Sequence, residues 1–327
     1  MRKRALYWLL FAGCILAGAA FVFYRARARE LTHQVESPLA IVPPGAALVL
    51  SLDVQRLAAS PAGEEIVKRA AGLLGLGSDD CAASTVRQAR SLVLAVDGSA
   101  EQLVPEPSEL AIIASGPFQA ESVVRCAEQA ISKKKGQAVR TALGSFLTVR
   151  DQRGTSGEVA VRDAGPLVIS NGRYLRDILD AADGKQPTPN ELARARDKLH
   201  AELRRSFGRG APVIATITLP KGWLERMLGD ADARFSPFSE LRSVALRLEP
   251  AGDGFVLELL LSHGSVQAAE SVEKLVNELL PEVRPLLEAE LGARPVAQLV
   301  PRRDGADLRS SVHLTREELE KVFAAGR

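Results

Sequence analysis

The four histidines are the side chains of this sequence best suited to bind a metal ion or to move a proton near neutral pH. They are His33, His200, His263 and His313, and no two of them are close neighbours in the chain. A metal site on a helix needs a spacing such as His-x-x-x-His, which places two ligands on one face. We therefore predict scattered surface histidines and no bound metal.

Two carboxylates, Asp53 and Asp97, each end an apolar run. A pair of carboxylates in one cleft could carry out acid–base chemistry, as in a hydrolase. An aspartate before a helix or a glycine turn, however, usually caps the helix or stabilises the turn. The corresponding places in the second half of the chain hold Leu219 and Glu249, each followed by proline. We therefore assign no catalytic residue.

The glycine-rich stretch Gly72-x-x-Gly75-x-Gly77 follows a predicted helix, whereas a phosphate-binding loop must precede one. Three lysines, Lys133 to Lys135, end another predicted helix, where cations complement the helix dipole. We expect no nucleotide and no other cofactor. The first thirty residues contain six basic groups and one acid, so the rest of the chain is net acidic although the whole carries +2. This balance excludes nucleic acid as a partner.

Cys81 and Cys126 are the only cysteines outside the apolar N-terminal stretch. In an oxidising compartment such a pair can form a disulfide, which would close a loop of about 45 residues. Two separately buried thiols are the alternative. Sequence spacing alone does not decide between them, because a disulfide needs close Cβ atoms.

Residues 5–24 form an uncharged apolar stretch that is flanked by three basic residues on each side. As a helix it would span roughly 30 Å, the thickness of the hydrocarbon core of a bilayer. We predict an uncleaved signal anchor that places the body in the periplasm or envelope. A cleaved signal peptide is one alternative. A lipoprotein is another, because Phe11-Ala12-Gly13-Cys14 resembles a lipobox that would be lipidated at Cys14.

The rest of the chain alternates between apolar strands and amphipathic helices, which is typical of α+β proteins. We predict two similar two-layer units, each a mostly antiparallel sheet with helices on one face. The order strand, helix, strand, strand, helix, strands, helix recurs in both halves, which indicates an internal duplication. The expected segments are an anchor with basic flanks at 1–29, a tether at 30–45, a first unit at 46–187, a linker helix at 188–210 and a second unit at 211–327.

Several element boundaries follow from local signals. Thr188 is a candidate N-cap for the linker helix, because Pro189 suits the first helical position. Pro281 and Pro285 should kink or split the helix at 266–291. Residues 296–300 are expected to form a strand. Thr315 and Glu318 form a capping box at the start of a last helix.

The opening of the body, SPLAIVPPGAALVLSLDVQRLAASP at residues 37–61, resembles uncharacterised membrane-anchored envelope proteins of myxobacteria and their relatives. The shared features are a Val-Pro, a small-residue turn, an apolar strand that ends in Asp, and a Ser-Pro helix. The resemblance implies a bacterial envelope location and a repeated α+β architecture. It implies no activity, so no functional residue is transferred.

These observations predict a non-enzymatic, single-pass membrane protein whose duplicated α+β body binds a protein partner or acts as a scaffold. The alternative is a binding module for an apolar small molecule or peptide, in a groove beside the helix at 266–291. A carboxylate-based hydrolase is the third hypothesis. A flat, featureless surface would favour the first hypothesis and a closed apolar pocket the second. A cleft in which Asp53 and Asp97 meet would favour the third.

Overall fold

A computed structural model describes residues 37–61, 63–64, 81–98, 110–154, 157–185, 188–208, 210–219 and 233–318. The helices, numbered here in chain order, are α1 (Val54–Ala58), α2 (Cys81–Gln88), α3 (Ala120–Lys133), α4 (Gly172–Ala182), α5 (Glu191–Ser206), α6 (Val266–Leu291) and α7 (Ala293–Ala297). Two 3₁₀ helices cover Pro38–Ile41 and Ala233–Glu240. The strands are β1 (Leu48–Asp53), β2 (Ser91–Val96), β3 (Leu110–Ser115), β4 (Ala138–Leu143), β5 (Phe146–Asp151), β6 (Glu158–Val161), β7 (Leu167–Ser170), β8 (Val213–Thr218), β9 (Leu241–Ala251), β10 (Gly254–His263), β11 (Arg302–Asp304) and β12 (Asp307–Leu314).

All twelve strands form one antiparallel sheet in the order β11-β12-β10-β9-β8-β1-β2-β3-β7-β6-β5-β4. The opening strands of the two halves, β1 and β8, pair with each other at the centre, with Leu50 opposite Ala215. Outward from this seam the first half continues with β2, β3 and β7, and the second half continues with β9, β10 and β12. The order on one side therefore mirrors the order on the other for three further strands. In the first half β3 pairs with β7, and in the second half β10 pairs with β12.

The predicted pair of separate sheets is therefore wrong in one respect, because the two halves share a single sheet. The α+β class with antiparallel strands is present as expected, and the recurring element order is consistent with a duplication. In a separate half the opening strand would be an edge strand, so each half provides the other with a partner strand.

Helices cover both faces of the sheet, whereas the sequence had predicted helices on one face. On one face α4 packs over Val49, Ile113 and Val168. On the opposite face α3 packs over Val149 and Val161. The physical reason lies in the central strands, which are apolar at nearly every position, so that burying one face leaves an apolar face on the other side.

Four local predictions differ from the structure. Residues 38–41, expected in the tether, form a 3₁₀ helix whose Ile41 lies in the core. Residues 293–297 form α7, where a strand had been predicted nearby. Helix α6 continues through both prolines as one element of 26 residues. Helix α5 begins after Asn190, whose side chain accepts a hydrogen bond from the Ala193 N–H, so Asn190 and not Thr188 is its cap.

The capping box is present, since Thr315 Oγ1 accepts from the Glu318 N–H and Glu318 Oε2 accepts from the Thr315 N–H. The expected anchor, the glycine-rich stretch and most of the predicted last helix lie outside the described residues. Among the described residues, no helix is both long and apolar enough to cross a membrane.

Candidate functional site

The histidines do not come together, and two of them are buried rather than exposed as predicted. His200 on α5 is 6% exposed; its Nδ1 lies 2.7 Å from Thr216 Oγ1 and its Nε2 lies 2.9 Å from the Ala46 carbonyl oxygen. Burial lowers the pKa of His200, with Arg204 acting in the same direction. These contacts join α5 to the start of β1 and to β8, so His200 has a structural position at the seam.

The other histidines lie apart from His200. His263 at the end of β10 is also buried, and burial lowers its pKa. His313 on β12 is half-buried, and its Nε2 lies 3.4 Å from the Ala251 carbonyl oxygen. His33 falls outside the described residues. In the part of the chain that the structure describes, no cluster of three or more His, Cys, Asp or Glu side chains could hold a metal ion.

Asp53 and Asp97 lie at opposite ends of the β1–β2 pair. In the register of these strands Asp53 faces Ser91, while Leu48 faces Val96, the residue just before Asp97. Five residues of extended strand separate the two ends, about 17 Å. The Asp53 Oδ1 accepts a hydrogen bond from the Arg56 N–H and so caps α1. The structure therefore does not provide the shared cleft that the hydrolase hypothesis needs.

The structure joins Cys81 and Cys126 as a disulfide, with Cα atoms 5.7 Å apart. The bond links the first residue of α2 to the middle of α3. A cavity of about 280 Å³ borders the bond and is lined by polar, uncharged groups that include Ser84, Gln88 and Gln119. The residues that line this cavity include no Asp, Glu, His, Lys or Arg, so they provide no acid–base pair.

The most extensive feature is an apolar surface on the sheet, on the side that carries Leu50. Directly opposed residues of antiparallel strands share a face, so the strand registers define three rows on this side. The middle row crosses seven strands and consists of Ile169, Ile112, Leu94, Leu50, Ala215, Leu246 and Leu259. At about 4.8 Å between strands, this row is about 29 Å long.

Two further rows flank the middle one. The near row, beside the start of β1, contains Leu110, Val96, Leu48, Ile217, Val244 and Leu261. The far row contains Ala114, Leu92, Leu52, Val213, Leu248 and Leu257. We call the three rows together the apolar trough. All of their side chains are uncharged and apolar.

The middle row of the trough is distinguished by the exposure of its side chains, whereas Val96, Ala114 and Val213 of the flanking rows are buried. In the middle row Ile169 is 39% exposed, and the other six residues are half-buried. On the opposite face, neighbouring residues of the same strands are closed off from solvent: Val93, Ile113 and Ala245 are at most 2% exposed. Large apolar areas that remain accessible in this way commonly mark binding surfaces.

Helices bound the trough on three sides. Helix α3 lies over β5 and β6 at one end of the rows. At the other end α6 is tied to β11 by the ion pair between Glu273 and Arg303, with 3.0 Å between nitrogen and oxygen. Leu57 of α1 is fully buried in a cluster that includes Leu52 and Val213 of the far row and Leu50 of the middle row.

Sequence analysis had placed a candidate groove beside α6 but did not identify the trough. The available signal was the run of Leu and Ile at alternate positions of β1, β2, β3, β9 and β10. Those patterns show that one side of each strand is apolar. Only the strand order and register show that these sides form one continuous surface.

The comparisons with known proteins identify a similar fold. No protein-family model matches the chain, and no curated protein matches it. The solved structure "Structure of crystal form III of TP0453" is similar, with a TM-score of 0.53, 13% sequence identity, and coverage of 88% of this chain and 98% of that chain. "Structure of crystal form I of TP0453" has a TM-score of 0.50 and 14% identity, covering 88% of this chain and 97% of that chain. At this level of identity, the similarity is one of fold.

Proposed function

We propose that this chain is a non-enzymatic binding protein of the cell envelope that holds an elongated apolar ligand in the trough. The observation that carries the proposal is the middle row, which presents seven apolar side chains on seven neighbouring strands without one fully buried member. A ligand that covers this row would remove apolar surface from water at about 25 cal/mol per Å². The absence of charge along the rows favours a hydrocarbon-like ligand over a polar one.

The shape of the surface favours a long and narrow ligand. The rows extend about 29 Å across the sheet, while the three rows together cover only about 14 Å along the strands. Helices α3 and α6 limit the two ends of the long direction. A compact ring system would cover a small part of this length, whereas an extended chain would contact several strands at once.

The location proposed with this function is the envelope side of a membrane. Its support is the uncharged stretch at residues 5–24 with basic residues on both sides. Of the two binding hypotheses drawn from the sequence, the trough favours the apolar ligand over a protein scaffold, because its three rows are apolar throughout and helices pack at their ends.

A photoaffinity experiment tests the ligand. The full-length protein in lipid nanodiscs is mixed with a sixteen-carbon fatty acid that carries a mid-chain diazirine and is delivered on cyclodextrin. After irradiation, mass spectrometry locates the adducts. We expect them on the β2–β3 segment, which contributes Leu94 and Ile112 to the middle row.

Two tryptophan variants provide the comparison. Leu94→Trp fills the trough without adding charge, and we expect it to reduce adducts on β2–β3 at least several-fold. Val256→Trp alters a half-buried position on the other side of β10 and should leave them unchanged. Both variants are checked for an unchanged circular dichroism spectrum. Equal labelling in all three folded proteins, or no adducts on the trough of the unaltered protein, would overturn the proposal.

A further inference from the structure

The two edges of the described sheet differ in their protection against pairing with another strand. The β11 edge has only three residues, Arg302 to Asp304, and all three are charged and exposed. Shortness and charge are common features that keep an edge strand from pairing. The β4 edge has six residues without a proline, a lysine or a bulge. In the described sheet, β4 is therefore the less protected edge.

The outer side of β4 presents backbone groups at alternate residues. The hairpin turn between β4 and β5 contains two residues, Gly144 and Ser145. The odd-numbered residues of β4 therefore exchange hydrogen bonds with β5. The N–H and C=O groups of Ala138, Arg140 and Ala142 point away from β5, and in the described part of the chain no strand pairs with this side.

The single charge on β4 does not protect the edge, because it is paired within the chain. Arg140 Nη1 donates to Glu121 Oε1 at 2.9 Å, and Nη2 contacts the second carboxylate oxygen. Glu121 belongs to the first turn of α3, which packs over β5 and β6. The ion pair thus lies on the face that α3 covers and not along the edge of the strand.

A second copy of β4 fits this edge in an antiparallel register that places Thr141 opposite Thr141. Arg140 then lies opposite Ala142 of the other copy, and their outward backbone groups exchange hydrogen bonds on both sides of the two-fold axis. Val139 lies opposite Leu143, so apolar side chains meet on the other face. A shift by two residues would instead place Arg140 opposite Arg140, and like charges directly opposite each other are unfavourable.

The same register brings opposite charges together at both ends of the junction. Lys134 and Lys135 follow the last residue of α3 and are exposed. The residue just before β4 lies opposite Ser145 of the other copy, so these lysines lie beside that hairpin turn. Ser145 Oγ donates to Asp183 Oδ1 at 2.8 Å, and Arg162 contacts the same carboxylate at 3.4 Å. Helix α4 ends beside Asp183 and has no basic residue in its last turn to offset its dipole.

From these observations we infer that two copies of this chain associate through β4 and join their twelve-stranded sheets into one. Lys134 and Lys135 of each copy lie against the end of α4 in the other. A second copy is the partner because one two-fold register matches the outward backbone groups, the apolar face and the charged ends at once. The inference is independent of the proposed function, since β5 and β6 separate the junction from the trough. Below the dissociation constant, β4 is again an edge strand.

Cysteine cross-linking of the full-length protein in detergent micelles tests the register. Thr141→Cys is made in a Cys14→Ser background, so that the other two cysteines are those of the native disulfide. Opposed residues that share no hydrogen bonds have Cα atoms about 4.5 Å apart, within the range of a disulfide. We expect a covalent dimer that a reductant separates. Arg150→Cys, at an exposed position of β5, is the matched control and should remain monomeric.

Two substitutions at one position test the hydrogen bonds of the edge. Ala142→Pro removes an outward N–H that β5 does not use, and proline is tolerated at such edge positions. Ala142→Val keeps this N–H. By sedimentation equilibrium, we expect Ala142→Pro to raise the dimer dissociation constant at least about tenfold and Ala142→Val to leave it within about twofold. Circular dichroism checks that both variants are folded.

A charge reversal tests the ends of the junction. Lys134→Glu should raise the dissociation constant about two- to fivefold, which is the effect of one exposed ion pair. Lys198→Glu changes a lysine on α5 that is 76% exposed, and it should have no effect. The difference between these variants should shrink at high ionic strength, because salt screens exposed charges. Equal dissociation constants at low ionic strength would show that the lysines do not contact the other copy.

Three results would overturn the inference. The first is a monomeric mass of the unaltered protein at all micromolar concentrations. The second is a dimer that Ala142→Pro does not weaken, which would place the contact on another surface, such as the predicted anchor. The third is equal cross-linking of Thr141→Cys and Arg150→Cys, and this comparison decides if Ala142→Pro does not fold. None of these results affects the proposed function, whose test is labelling of the trough.

Discussion

At the scale of single residues, several polar side chains of the described chain join elements from its two halves. His200 lies between Ala46 and Thr216, which belong to different halves of the chain. On the same helix, Arg204 Nη1 donates to Ser51 Oγ at 2.9 Å and Asp197 Oδ1 accepts from the Gly45 N–H at 2.8 Å. These bonds pair buried polar groups at the seam. Loss of one bond would leave a buried donor or acceptor unpaired, which costs about 1–3 kcal/mol.

The two buried histidines predict a loss of stability in mild acid. Burial lowers the pKa of both His200 and His263 in the folded state. Below about pH 6.5 the unfolded chain therefore binds protons that the folded chain does not, and the free energy of unfolding falls as the pH falls. The slope is at most about 1.4 kcal/mol per pH unit for each histidine.

Urea unfolding of the full chain in detergent micelles at pH 7.5, 6.5 and 5.5 measures this slope. We expect little change between pH 7.5 and 6.5 and a decline from 6.5 to 5.5. In His200→Gln and His263→Gln the decline should be smaller, and in the double variant smaller still. A decline of the same size in the double variant would show that other groups cause it.

At the scale of elements, the disulfide fixes α2 against α3. The chain between the two cysteines includes β2 and β3, which contribute Leu94 and Ile112 to the trough. The covalent loop thus fastens the helix at one end of the trough to the strands that form its middle. In the chain-entropy model a closed loop of this length contributes about 4 kcal/mol.

The disulfide predicts both a compartment and a loss of stability when it is removed. In intact cells, an impermeant maleimide should label Cys81 and Cys126 only after reduction, without a breach of the inner membrane. Cys81→Ser combined with Cys126→Ser should lower the free energy of unfolding by about 4 kcal/mol.

Cys14→Ser is the control for both measurements, because Cys14 lies in the predicted anchor. The free energy of unfolding of this variant, and the labelling of its Cys81 and Cys126, should equal those of the unaltered protein. Free thiols that become accessible only after the inner membrane is opened would contradict both the disulfide and the envelope location.

At the scale of the whole molecule, the two halves form one sheet through the β1–β8 pair, and α5 crosses this seam on one face. Ile214 of β8, Ala245 of β9 and Leu203 of α5 share one buried cluster. Because the hydrogen bonds of the sheet and the packing of α5 both cross the seam, neither half retains its central strand environment when the other unfolds.

This continuity predicts that the halves unfold together. In native-state hydrogen exchange of the full chain, the amides of β2 and β9 should open with free energies that agree within about 1 kcal/mol. The amides of β4, an edge strand in the described sheet, should exchange through smaller local openings and serve as the internal control. A difference of several kcal/mol between β2 and β9 would show that the halves are independent units.

The amino-acid sequence by itself determined the α+β class, most strands, and the capping box at Thr315. These features depend on residues that are close in the chain, such as the apolar residues Val244, Leu246 and Leu248 at alternate positions of β9. The pairing of Cys81 with Cys126 was open on sequence grounds, because it depends on how α2 packs against α3.

The tertiary structure decided what depends on distant residues. Ser51, Ile214 and Thr216 give no sign in the sequence that β1 pairs with β8, because a strand edge can pair with any free edge of suitable length. The sequence predicts His200 as a surface residue of a polar helix. It is buried because that helix packs across the seam. The trough required both strand order and register, since seven apolar side chains form one surface only when seven strands lie side by side.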